Sequence, residues 1–157
     1  MGHSISGLIT RHEALTQLEG RLAEQPKFTL LSGLGFLPLD HKNLDSIVGL
    51  NAGESLRPFQ YLTTPLMDLL RVRSQGRTLV YVETDYFGGV GGQGAAVFRE
   101  GRVRFGPHFT KGKGGAINEA FAWLDVTTAS GCLDAFETVG LSRCRCNDDF
   151  SVGGVSA

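Results

Sequence analysis

The reading turns on Arg77-Thr-Leu-Val-Tyr-Val-Glu-Thr-Asp-Tyr-Phe87, then Gly88-Gly-Val-Gly-Gly-Gln-Gly94, then Ala95-Ala-Val-Phe-Arg99 and, past Glu100-Gly101, Arg102-Val-Arg-Phe105. The β-branched and aromatic residues of 77–87 predict a strand, and 95–99 and 102–105 predict two more. Glu100-Gly101 is a two-residue hairpin signal, and the glycine run 88–94 reads as the other turn. The expectation is an antiparallel meander over 77–105.

Working outward, Thr64-Pro65 predicts a helix start, with Leu66, Leu69 and Leu70 as its buried stripe and Gly76 as its stop. A helix is expected near 116–124, turning Ile117, Ala120, Phe121 and Leu124 inward. Thr10 and Glu13 match a capping box, so 10–24 reads as a helix carrying Leu15, Leu18 and Leu22. Residues 27–37 read as a strand or two short ones bent at Gly33, and Asp40 as the cap of a short helix through Val48. A last short strand or helix end is expected at 136–141. The whole predicts an α+β fold: an antiparallel sheet packed against about three helices, lying on one face. Residues 1–141 form a single domain and 142–157 a flexible tail.

The composition fits a single globular domain. The chain has 157 residues, 41% of them hydrophobic, with ten Phe, three Tyr and one Trp; that is enough to build a core. The 22 glycines border apolar runs and so read as turns. A formal net charge of −1 with scattered basic residues lacks the basic footprint of a nucleic-acid surface. No apolar run spans a bilayer, and the first fifteen residues lack the pattern of a signal peptide. The cysteines, an odd number, make no disulfide framework. The expectation is a cytoplasmic protein that binds neither membrane nor nucleic acid.

Several motifs touch on chemistry. Gly89-Val-Gly91-Gly-Gln-Gly94 is a literal GxGxxG, but a strand follows it where a dinucleotide site needs a helix. Gly106-Pro-His-Phe-Thr-Lys-Gly112-Lys-Gly114 approximates a phosphate loop, one residue too long and without the hydroxyl that holds magnesium. Lys111 and Lys113 remain candidates for attracting an anion. Glu83 and Asp85 fall on one face of the predicted strand, where paired carboxylates serve acid/base chemistry, metal binding or a partner. Cys132, Cys144 and Cys146 have no zinc spacing. No catalytic residue, metal or cofactor is assigned, and the balance leans away from an enzyme.

Tyr81-Val-Glu-Thr-Asp-Tyr-Phe-Gly-Gly-Val-Gly-Gly-Gln93 and Phe59-Gln-Tyr-Leu-Thr-Thr-Pro-Leu-Met-Asp68 resemble a group of small bacterial proteins sharing a YVETDYFGG-x-G-x-Q core. Some of these look like immunity proteins of contact-dependent or type VI secreted toxins. The resemblance covers about residues 58–141 and implies a stoichiometric inhibitor that occludes a cognate toxin domain. The surface expected to do so comprises Glu83, Asp85, Tyr86, Phe87, Gly88, Gly89 and Gln93. Two alternatives stand beside it. One is an enzyme or small-ligand binder using the Gly88–Gly94 and Lys111–Lys113 loops for nucleotide or phosphate. The other is an adaptor or chaperone for a secreted protein.

Overall fold

A computed structural model describes residues 2–49, 53–112 and 115–151. Its strands are β1 (Ser6–Arg11), β2 (Phe28–Thr29), β3 (Leu34–Pro38), β4 (Thr78–Phe87), β5 (Val90–Arg99) and β6 (Arg102–Lys111). They form one antiparallel sheet in the order β2-β3-β1-β4-β5-β6. The helices are α1 (His12–Thr16), α2 (Leu44–Val48), α3 (Thr64–Arg73), α4 (Ala116–Phe121) and α5 (Ala135–Thr138), joined by short 3-10 turns. The α+β architecture and the central meander are as the sequence predicts.

Helices cover both faces of the sheet, not one. Side chains of a strand alternate between faces, and over Leu79–Val82 of β4 both sets are apolar and fully buried. Val80 and Val82 join Ile117, Ala120, Phe121, Val139 and Phe150 on one side. Leu79 and Tyr81 join Leu15, Leu18, Leu22, Leu62, Leu66 and Leu70 on the other. Each such aliphatic side chain contributes roughly 1.5–3 kcal/mol of burial.

The first expected helix, 10–24, is broken up: Thr10 and Arg11 end β1, α1 covers His12–Thr16, and a 3-10 turn follows at Gly20–Leu22. Thr10 does not cap; its hydroxyl donates to the Thr78 carbonyl at 2.6 Å. β1 pairs with β3 and β4 at once, and these two ladders outweigh a local capping preference. The leucines are nevertheless buried as expected: Leu15 on α1, Leu22 on the 3-10 turn, and Leu18 on the link between them. The α3 start also shifts by one residue: the Thr63 hydroxyl, not that of Thr64, accepts the Leu66 amide.

The expected glycine turn is much shorter than 88–94. Only Gly88 and Gly89 turn, with φ of 61° and 80°, the paired positive angles of a tight hairpin that glycine adopts freely. Val90 onward belongs to β5. The stretch 106–114, read as an approximate phosphate loop, likewise is strand as far as Lys111; Lys113 and Gly114 lie outside the described residues.

The expected tail is folded over 142–151. Phe150 is fully buried, its ring 4.5 Å from that of Phe36. Asn147 donates to the Ser6 carbonyl at 2.9 Å and to the Asp40 carboxylate at 2.8 Å. An aromatic residue with an apolar niche to fill overrides the polar composition around it.

Candidate functional site

The β4–β5 hairpin gathers the residues that the sequence singles out and sorts them into two groups. Glu83 belongs inside. It is 5% exposed, and its carboxylate accepts the amides of Gln60, Tyr61 and Leu62 at 2.7, 2.9 and 3.1 Å. The Tyr81 hydroxyl donates to it at 2.6 Å. Burial, and then the neighbouring Glu83 charge, hold the Tyr81 phenol well above its usual range. A carboxylate that accepts several backbone amides holds a loop in place. This one clamps the segment bearing Pro58 and Phe59 onto the sheet. The expectation that Glu83 faces a partner is therefore corrected.

Gln93 is also interior. Its side chain bridges two elements: the carbonyl accepts the Ile117 amide at 2.9 Å and the amide donates to the Tyr86 hydroxyl at 3.1 Å. The Tyr86 hydroxyl in turn donates to the Gly112 carbonyl at 2.7 Å. Gln93 thus satisfies a free amide at the start of α4, and Tyr86, half-buried, ties the β4 end to the end of β6. Both serve the fold.

Four residues of the expected surface remain outside: Asp85, Phe87, Gly88 and Gly89. Phe87 is 79% exposed and Val90, its cross-strand partner, 77%. The two stand side by side at the hairpin tip, around the Gly88-Gly89 turn. Next to them an open groove of about 500 Å³ is lined by Pro58, Asp85, Val90, Phe109 and Lys111, with Gly91 and Gly92 among its walls.

The strand glycines have a packing role. A Cβ at Gly92 would approach the Phe109 ring to 2.5 Å, and one at Gly94 would approach it to 2.7 Å and run into Phe59. The two rings meet edge to face, 5.6 Å apart, lying over backbone that carries no side chain. The amides of β5 meanwhile belong to ladders with β4 and β6. Gly92 and Gly94 are therefore covered by rings, and the run from Val90 onward is committed to the sheet, where a phosphate loop needs free, accessible amides. This counts against the nucleotide alternative at Gly88–Gly94.

Elsewhere the described residues contain no group of three or more metal-ligating side chains. The three thiols are free, and burial raises the Cys144 thiol. A small polar pocket of about 180 Å³ lies between Ser4, Asp40, Lys42, Tyr61 and Asn147. Its groups satisfy one another: Asn147 on Asp40, and Lys42 paired with Asp148.

Sequence reasoning missed Val90 and Pro58, and it missed that Asp85 and Lys111 share a groove. A two-residue turn at Gly88-Gly89 was the available signal, because it fixes the register of all that follows. Among the described residues no helix is long and apolar enough to cross a membrane. No family model, curated protein or solved structure matches this chain.

Proposed function

We propose that this chain is a non-enzymatic binding protein of immunity type, and that its β4–β5 hairpin tip docks against a cognate bacterial toxin domain and occludes its active site. The observation carrying this reading is the exposed pair Phe87 and Val90, 79% and 77% accessible at the tip of a hairpin of two ten-residue strands. Aromatic side chains that project from well-ordered backbone supply interface area at low entropic cost. The motif resemblance over 81–93 supports the immunity assignment, and it is centred on the same hairpin. Only Asp85 of the expected acidic pair is at the surface, so apolar contact leads recognition and charge assists it.

The test is co-expression, in a bacterial host, with the product of the neighbouring reading frame. The wild-type chain is expected to restore growth and co-purify with the toxin, whereas Phe87→Ser with Val90→Ser restores neither while keeping its circular dichroism spectrum. Full protection by the folded double variant would remove the tip from the interface. A neighbour whose expression is harmless, yet which co-purifies through the tip, would favour the adaptor reading.

A further inference from the structure

Asp85 pairs with Gly92 across β4–β5, and Gly92 pairs with Lys111 across β5–β6. The three therefore lie on one line across the sheet with side-chain positions on one face. Two strand spacings put the Asp85 and Lys111 backbones about 10 Å apart. The residue between them is glycine, and the Phe109 ring lies over its backbone, so the floor between the two charges is aromatic. Neither charge is spent among the described residues: the ion pairs lie elsewhere, and no hydrogen bond engages either side chain. The slot between them is walled by Phe109, Val90 and Pro58, and about 500 Å³ is the size of a small-molecule site.

We propose that this slot binds a small zwitterion carrying an ammonium and a carboxylate at opposite ends of a short apolar body. The ammonium lies against Asp85, the carboxylate against Lys111, and the body rests on the Phe109 ring and Val90. The polarity excludes simpler ligands. A phosphate or nucleotide meets Lys111 but also the Asp85 carboxylate, and a bare amine or bare acid engages one end and leaves the other charge to water. The proposal requires neither Phe87 nor a protein partner. Its failure and that of the immunity reading are therefore separately visible.

The experiment is a titration of the full chain followed by its amide NMR spectrum, with ε-aminocaproate as probe and caproate and hexylamine as controls. The expected result is perturbation centred on Asp85, Gly92 and Lys111, with ε-aminocaproate binding at least about tenfold tighter than either control, the effect of one added charge contact. Asp85→Asn is expected to bring the probe down to the caproate level and Lys111→Gln to the hexylamine level, while Lys111→Arg retains binding. The free variants should keep the wild-type spectrum, both positions being exposed. No perturbation at these residues, equal binding of all three compounds, or probe binding unchanged in both neutral variants would overturn the proposal.

Discussion

The Tyr81 hydroxyl donates to Glu83 at 2.6 Å beneath a loop whose three amides converge on the same carboxylate. One buried acid therefore fixes the β4 face and the segment that walls the groove. Removing one member of such a network leaves the others buried and unsatisfied.

Glu83→Gln is expected to cost about 2–4 kcal/mol, because the new amide presents a donor to backbone donors. Tyr81→Phe removes one bond at constant shape and is expected to cost about 1–1.5 kcal/mol. Urea unfolding of the two variants measures both. A neutral Glu83→Gln would contradict the structural role.

The glycines of β5 and of the turn respond differently to a methyl group. Gly94→Ala is expected to destabilise by about 2 kcal/mol or more, since backbone and two aromatic rings cannot both stay in place. At Gly89 nothing lies within 4 Å of the added carbon, although φ is +80°. Gly89→Asn, which tolerates that angle, is therefore expected to cost less than about 1 kcal/mol. Thermal melts of the pair decide it.

Much of the fold was legible in the sequence, and the misreadings have physical causes. The α3 and α4 segments and the β4–β6 strands follow local signals: Pro65, the Ile117–Leu124 spacing, and aromatic and β-branched runs. The unbroken apolar run Leu79–Val82 carries the signal of a strand buried on both faces, which the one-faced expectation overlooked. Thr10 misled because its capping pattern is local while its strand partners lie far along the chain, β3 and β4 among them. Glu83 misled for a related reason. An acid at alternating spacing looks exposed until the amides of Gln60–Leu62 arrive from a distant loop. Asp85 and Phe87, past the end of that loop, are exposed as expected. The exposed pair itself was half legible, because Val90 was read as turn.

The C-terminal segment gives a third test. Phe150→Ala should cost about 3–5 kcal/mol, the range for emptying a buried aromatic site. It should do so although its neighbours Asp148 and Asp149 are exposed. A change below about 1 kcal/mol would return 142–151 to the status of a loose tail.

His3 makes stability depend on pH. The Leu141 carbonyl can only accept, so Nε2–H donates to it at 3.2 Å; in the neutral ring Nδ1 then accepts the Thr84 hydroxyl at 2.7 Å, while Thr84 Oγ1 accepts the Ile5 amide at 2.9 Å. These roles suit the neutral ring, and burial depresses its pKa below the ordinary 6.5. The unfolded chain then takes up the proton more readily, so stability is full above pH 6.5 and falls as the pH drops from there toward the folded value. In His3→Gln this dependence should flatten. Chemical denaturation across that pH range reads the slope.

The most direct measurement of the central claim is the affinity of the folded Phe87→Ser, Val90→Ser variant for the toxin domain, by calorimetry beside the wild type. Loss of about 2 kcal/mol or more, roughly thirtyfold, with unfolding free energy within about 0.5 kcal/mol of wild type, is the predicted result. Equal affinity in a stable variant would contradict it and place the binding surface elsewhere on the molecule.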